Sequence, residues 1–318
     1  MSDEPIFIVG AHKSGSSFLR SLLDGHSELT VIPIEAHYFK HANYWIDYSF
    51  RRQQPSESLS FTESAVTSLE KHLKEHNPYS DSNAHELGIN LQDFQQELEA
   101  GLHKASNEKQ RFEAYMAAIL HAYGAPSAQK KGTLRICEKS VENAEFVGDL
   151  QRLYPKAKFL HIIRNPYENL ASFRRYRQKV ENRYPRVDRM VLSLKNNYYH
   201  LYKNQRNCPN YHVVRYEDLA TETSKTMHEI ADFLKISFED ALLSPTADGQ
   251  PWSGNTTKTS HTESDITDLE KRYVNKAFGA ILRDYGYQQQ LPAKSFWRRN
   301  KNESTKRYIL NRALYYSL

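Results

Sequence analysis

The sequence predicts an α/β fold in three layers, with a central parallel sheet flanked by helices, because buried strands alternate with helices along the chain. Ile6 to Val9 is a short continuous apolar run, typical of a strand covered on both faces. Lys158 to Ile163 and Tyr211 to Arg215 are two further strand candidates. A helix-like segment follows each of the three, as the right-handed crossovers of a parallel sheet require.

The helix that follows the first strand has one apolar face. Phe18, Leu19, Leu22 and Leu23 recur at the spacing of a buried stripe. We expect Gly25 to end this helix in a left-handed C-terminal cap. The opening of the chain is therefore predicted as strand, loop and helix.

Helical patterns fill the region between the first helix and the second strand candidate. They cover 64–76, 91–104 and 108–123 and are separated by polar stretches. We interpret residues from about 40 to 132 as a helical insertion that covers the sheet. The whole chain, 1–318, is predicted to be a single domain.

The C-terminal part begins with a helical pattern over 265–284. After Pro292, a tail at about 292–318 is rich in lysine, arginine and aromatic residues. A basic amphipathic helix of this kind suits peripheral contact with an anionic membrane, or packing back on its own domain. We expect the second.

Composition excludes several classes of protein. The chain is 39% hydrophobic and 25% charged, with a mean hydropathy of −0.75, and no apolar run is long enough to span a bilayer. Its two cysteines are too few for a disulfide framework or a zinc site. A net charge of +5 is too small to indicate nucleic acid. Without a secretory leader pattern, we expect a cytoplasmic protein.

The loop after the first strand has the composition of a phosphate-binding loop. A glycine-rich turn between a buried strand and a helix offers backbone N–H groups to an anion at the positive end of the helix dipole. Gly10 and Gly15 have the separation of a nucleotide-binding P-loop. However, Ser16 follows Gly15 where that motif has lysine, and Lys13 lies two residues earlier. The loop is P-loop-like but lacks the arrangement that binds ATP with magnesium.

The stretch Lys13-Ser14-Gly15-Ser16-Ser17 resembles the 5′-phosphosulfate loop of the sulfotransferases that use 3′-phosphoadenosine 5′-phosphosulfate (PAPS). The family's second signature is a strand ending in arginine, followed by a helix that carries serine. Here Arg164 and Ser172 occupy those positions, which implies that they bind the 3′-phosphate. An arginine fork and a hydroxyl about two turns into the next helix can meet on one phosphate.

Other segments are similar to the glycan-modifying and tyrosylprotein branches of the family. The resemblance implies that Glu35 is the general base, in an apolar setting that would raise its pKa. His37 would orient Glu35, contact the acceptor or act as the base itself. Lys139 would assist Lys13 or hold an acidic acceptor; otherwise it is a solvated lysine before a helix capped by Ser140. Two further donor contacts, Tyr216 and Lys258, are implied more weakly, since Tyr216 equally suits packing.

One position departs from the resemblance. The tyrosylprotein branch has an additional arginine one turn after the 3′-phosphate serine, and Tyr176 occupies that place here. Arg175 and Arg177 flank it.

The resemblance implies sulfuryl transfer from PAPS to a hydroxyl by in-line displacement, leaving adenosine 3′,5′-bisphosphate (PAP) and requiring no metal. The expected acceptor is a carbohydrate or glycolipid. Sulfation of tyrosine or of a small alcohol or phenol stays open, as do a P-loop kinase and a noncatalytic nucleotide binder. The sequence indicates neither the acceptor nor the oligomeric state.

Overall fold

A computed structural model describes residues 1–47, 59–74, 89–124, 135–182, 184–247, 249–252, 254, 266–291, 299 and 303–317. Within these ranges, one sheet is built from five parallel strands: Ile6–Gly10 (β1), Thr30–Val31 (β2), Ile136–Lys139 (β3), Lys158–Ile163 (β4) and Tyr211–Arg215 (β5). Their order is β2-β3-β1-β4-β5, so β1 is central. A separate antiparallel pair joins Thr246–Ala247 (β6) and Gln250–Pro251 (β7).

Helices surround the sheet. In chain order they are Ser16–Asp24 (α1), Tyr38–His41 (α2), Phe61–Lys74 (α3), Leu91–Lys104 (α4), Glu108–Ala122 (α5), Val147–Leu153 (α6), Pro166–Glu181 (α7), Val187–Asn207 (α8), Tyr216–Thr221 (α9), Thr223–Leu234 (α10), Asp268–Asp284 (α11) and Thr305–Tyr315 (α12). Two 3₁₀ turns, Val141–Ala144 and Asp240–Leu243, follow β3 and α10. The predicted α/β class with a central parallel sheet is confirmed.

Successive residues of β1 enter different cores. Phe7 and Val9 pack in one apolar cluster with side chains of α4 and α5, whereas Ile6 and Ile8 pack in another with α1 and α10. All four side chains are fully buried. Adjacent residues of a strand face opposite sides, so an unbroken apolar run needs a cover on both. The helices of the 40–132 segment provide one of these covers.

Three strands of the five-stranded sheet agree with the sequence prediction, and its other two strands, β2 and β3, were not predicted. β2 has only two residues, and β3 contains Glu138 and Lys139, so neither has the apolar run that marks a buried strand. The left-handed cap at Gly25 was wrong, because its φ is −81°. A Cβ at this position would lie 3.5 Å from the Cβ of Ala241, an ordinary van der Waals contact, so neither the backbone nor the space requires glycine here.

The start of α7 and the packing of α12 are each fixed by an asparagine. Asn165 caps α7 by accepting a hydrogen bond from the backbone N–H of Tyr167 at 3.0 Å, with Pro166 in the first turn. In the tail, α12 packs back on its own domain. Its fully buried Asn311 accepts from the N–H of Val187 at 3.2 Å, and the hydroxyl of Tyr273 donates to the Asn311 carbonyl at 2.9 Å.

A buried ion pair joins α7 to the start of α11. The Arg174 guanidinium donates to the Glu270 carboxylate, and their side chains are 5% and 0% exposed. We expect Arg174→Met to lower the free energy of unfolding by about 3–5 kcal/mol, since it leaves a buried carboxylate without its cation. Urea denaturation of the purified protein measures this change.

An exposed ion pair is the matched control. Lys225→Met removes a lysine that is 71% exposed and paired with Glu222, and it should leave the midpoint of urea denaturation almost unchanged. The double variant Arg174→Met/Glu270→Gln should lose less than the sum of its single changes, because the carboxylate is gone as well. Equal losses from Arg174→Met and Lys225→Met would contradict the role of the buried pair.

Candidate active site

The predicted phosphate-binding loop, residues 11–15, lies between β1 and α1 at the carboxyl edge of the sheet and is called the anion loop below. Lys13 and Gly15 have positive φ angles of 63° and 103°. A Cβ on Gly15 would lie 2.3 Å from Cδ2 of Tyr216, so only glycine fits. Gly15 is also the N-cap of α1 and makes no side-chain cap bond. The first turn of α1 is therefore suited to present backbone N–H groups to an anion.

The three serines of the loop have different surroundings. The Ser14 hydroxyl donates to the Ala11 carbonyl at 2.7 Å and is nearly fully buried, so it closes the loop on itself. Ser16 is buried at the start of α1. The Ser17 hydroxyl accepts from Nζ of Lys139 at 3.2 Å. Ser17 thus connects the loop to a second group of polar residues.

Arg164 follows β4 and lies beside the anion loop. Its guanidinium is 4.4 Å from the centre of the Tyr216 ring, and Nη1 donates to the Lys13 carbonyl at 3.4 Å. Its Nη2 lies 3.7 Å from the Glu168 carboxylate. The structure therefore brings Arg164, Lys13 and Tyr216 together. Ser172 is half-buried on α7, in the same strand–helix unit as Arg164.

Helix α7 supplies further contacts to the loop. Asn169 donates to the His12 carbonyl at 3.0 Å. Tyr176, which stands where the tyrosylprotein branch has arginine, places its ring centre 5.0 Å from Nζ of Lys13. A cation–π contact at this distance restrains the lysine. The predicted donor contact Lys258 lies outside the described residues.

A cluster of charged side chains lies next to the loop, at the ends of β2 and β3. Nζ of Lys139 donates to Glu35 Oε1 at 2.8 Å, and Glu35 Oε2 lies 3.3 Å from Nε2 of His37. Nδ1 of His37 contacts the Glu142 carboxylate. These residues form a chain from the anion loop to Glu142. Sequence reasoning missed Glu142, which is three residues after Lys139 in a stretch that resembles the family.

The segment carrying Glu35 is held from two sides. The buried carboxylate of Glu138 accepts from the Ala36 N–H at 3.2 Å, while the hydroxyl of Tyr115 on α5 donates to the Ala36 carbonyl at 2.8 Å. Burial raises the pKa of Glu138 to about 8. The helical insertion thus fixes the backbone between Glu35 and His37.

Several local expectations for this region were wrong. Glu35 lies beside Lys139 and His37 rather than in the apolar surroundings expected. The Lys139 side chain is 2% exposed and so is not solvated. Ser140 makes no side-chain cap bond; its hydroxyl donates to Glu138 at 2.5 Å, because that buried carboxylate competes for it.

One group within the described residues has potential metal ligands in proximity. Glu35, His37 and Glu142 each offer one ligand atom, and these atoms lie within 4.8 Å of one another. The Lys139 ammonium, 2.8 Å from Glu35, opposes a second cation at this place. The group is better described as a row of acid, imidazole and acid, in which His37 contacts Glu142 and lies 3.3 Å from Glu35.

Together, the parallel sheet, the loop after β1 and the arginine after β4 have the arrangement of the P-loop-like α/β class. A family model described as "Sulfotransferase family" matches residues 5–240. The chain therefore belongs to the sulfotransferase family, whose members transfer sulfuryl groups. The match continues through the 40–132 segment and stops before the basic tail.

A solved sulfotransferase structure has a similar fold. The sulfotransferase domain from the curacin biosynthetic pathway is 20% identical, with a TM-score of 0.51, and the alignment covers 98% of this chain and 97% of that one. A sulfotransferase from Alicyclobacillus acidocaldarius is 18% identical, with a TM-score of 0.47 and coverages of 94% and 100%. At these identities, the first similarity supports the fold alone.

A search of curated protein sequences found no significant match. Among the helices in the described parts of the chain, none combines the length and the apolar character needed to cross a membrane.

Proposed function

We propose that the protein moves a sulfuryl group from PAPS to an acceptor hydroxyl by in-line displacement, with Glu35 as the general base and no metal. One observation carries this proposal: Nζ of Lys139 lies 2.8 Å from Glu35 and 3.2 Å from the Ser17 hydroxyl. A single ammonium thereby joins the carboxylate to the anion loop. A hydroxyl deprotonated by Glu35 would be next to a phosphosulfate bound in that loop.

On the donor side, each group has a distinct task. Lys13 would neutralise charge on the oxygen that bridges phosphorus and sulfur as the leaving group departs. The backbone from Ser14 to Ser17 would hold the 5′-phosphate. Arg164 and Ser172 would bind the 3′-phosphate, with Tyr216 supporting the guanidinium from its face. Lys258 stays a predicted donor contact.

A carbohydrate or glycolipid remains the acceptor that we propose. Its support is the family resemblance and two aromatic side chains beyond α2, since Tyr44 is 36% and Trp45 is 53% exposed. Aromatic rings of this kind can pack against the apolar face of a sugar. Tyr38 does not belong to this surface, because it is buried in the core. A tyrosine, phenol or small alcohol is the alternative acceptor.

A sulfate-transfer assay tests the proposal. The protein is incubated with ³⁵S-labelled PAPS and a panel of sugars, glycolipids, tyrosine peptides and phenols, with and without a metal chelator. We expect label on at least one hydroxyl acceptor and no effect of the chelator. Labelled ATP with magnesium is the control for a kinase. Calorimetric binding of PAP without transfer to any acceptor would instead indicate a noncatalytic binder.

A further inference from the structure

Glu142 is a buried carboxylate to which the proposed reaction assigns no role. It lies in the 3₁₀ turn after β3, and its side chain is 2% exposed. A charge this deep is costly unless it is paired, and its partner is Nδ1 of His37. The two residues are 105 positions apart in sequence, so the fold creates this contact.

His37 is held firmly between two carboxylates. Its backbone is left-handed, with φ of 51°, which is strained for a residue other than glycine. The backbone N–H donates to the hydroxyl of Ser140 at 3.1 Å, which supports this conformation. The imidazole then has Nδ1 on Glu142 and Nε2 at 3.3 Å from Glu35. Each ring nitrogen has a different acid as its neighbour.

We propose that Glu142 is a positioning residue for the sulfuryl transfer, holding the His37 imidazole so that Nε2 receives the acceptor's proton from Glu35. The inference rests on the proposed function. The acceptor oxygen forms its bond to sulfur while the donor's bridging S–O bond breaks, and that electron pair leaves with PAP. The proton passes from the hydroxyl to Glu35 and then to Nε2 of His37. The resulting imidazolium is stabilised by Glu142 and later releases the proton to solvent.

The relay follows from the position of Lys139. Its ammonium, 2.8 Å from Glu35, favours the ionised carboxylate and so disfavours a proton that stays on Glu35. An imidazole backed by a second carboxylate retains the proton better, as in the catalytic triads of hydrolases. The arrangement therefore separates the group that removes the proton from the group that stores it.

Other ionisable groups near this chain are accounted for. Burial lowers the pKa of His41, on α2, to about 3, so that ring is neutral at physiological pH. Glu138, on β3, is buried beneath the same segment, and its carboxyl has a raised pKa of about 8. In the described structure, Glu142 and Glu35 thus lie against the two ring nitrogens of His37, and Lys139 pairs with Glu35.

The test compares Glu142→Gln with a matched control, Glu145→Gln. Glu145 is also a partly buried acid, but its carboxylate accepts from the Asp47 N–H at 3.0 Å and from Asn196 at 2.9 Å. For Glu142→Gln we expect kcat to fall about 10²-fold, the lower end of what acid–base groups contribute. The affinity for PAP should stay within about twofold, because no donor contact is removed. Glu145→Gln should keep the parent kcat.

A double-mutant cycle separates positioning from a purely structural role. Because Glu142 acts through the imidazole, Glu142→Gln should lower kcat and leave the KM for PAPS unchanged. In a His37→Asn background, Glu142→Gln should have no additional effect. A structural defect would add its own loss to that of His37→Asn.

A second readout does not depend on knowing the acceptor. With ¹⁵N-labelled histidine and bound PAP, NMR should show His37 with its proton on Nδ1 in the parent, and this single tautomer should be lost in Glu142→Gln. If that variant fails to fold, Glu142→Asp is used, with restoration of part of the activity expected. An active parent whose Glu142→Gln variant keeps the parent kcat and the parent tautomer overturns this inference alone. A parent that transfers no sulfate from PAPS overturns the proposed function and this inference together. Loss of activity with a chelator, restored by a divalent ion, would replace the relay with a metal site.

Discussion

Glu35→Gln is expected to lower kcat about 10²- to 10⁴-fold, the range that a general base contributes, while the dissociation constant for PAP stays within about twofold. Glutamine keeps the shape of the side chain and can still accept the hydrogen bond from Lys139, which is 2.8 Å long in the parent. It cannot take a proton from the acceptor. Steady-state kinetics with the acceptor found in the screen measures kcat, and calorimetry measures PAP binding.

The control for this variant is an acid far from the sheet edge. Glu97→Gln changes an exposed residue of α4 and should leave both constants unchanged. Thermal unfolding of Glu35→Gln checks that the remaining Lys139 ammonium does not destabilise the fold. Parent-like turnover in a folded Glu35→Gln protein would exclude Glu35 as the base and favour His37 in that role.

Arg164→Ala is expected to weaken PAP binding about 10- to 100-fold, the effect of losing charge-assisted hydrogen bonds worth about 1.5–3 kcal/mol. Its guanidinium also lies 4.4 Å from the Tyr216 ring and contacts the Lys13 carbonyl, so the loop loses a support as well. Arg164→Lys keeps the charge but not the fork, and should bind PAP with intermediate affinity.

Two ligands distinguish a phosphate contact from loop support. AMP has no 3′-phosphate, so Arg164→Ala should weaken its binding much less than that of PAP. Arg152→Ala, which removes an exposed arginine paired with Asp149, controls for net charge and should bind both ligands as the parent does. Equal losses for PAP and AMP would mean that Arg164 acts on the loop rather than on the 3′-phosphate.

Much of the fold could be predicted because its signals are local. Three strands are recognisable in the sequence: Ile6–Gly10, Lys158–Ile163 and Tyr211–Arg215. Each is a short segment rich in apolar residues, and a helix-like segment follows each of them. β3 was missed for the opposite reason. Its Glu138 and Lys139 are polar. They are buried among other polar side chains at the ends of β2 and β3 rather than in an apolar core.

The candidate site could be predicted only in part. Lys13, Arg164 and Glu35 were identified from motif positions, and the described structure brings each of them to the same edge of the sheet. Glu142 was not identified, because a glutamate in a turn has no local mark of burial. The support of Ala36 by Tyr115 was equally hidden, since it joins residues 79 positions apart.

The sequence by itself determined the fold class of this protein. Three short-range patterns indicate it: a buried strand, a glycine turn with its lysine displaced, and an arginine after a later strand. Backbone sterics and burial impose such patterns locally. Tertiary structure alone decided how the charged groups combine. It placed Lys139 on Glu35 and Glu142 on His37, and it turned the Tyr176 ring toward Lys13. Electrostatic energy depends on distance and burial, and both are properties of the folded chain that no spacing in the sequence specifies.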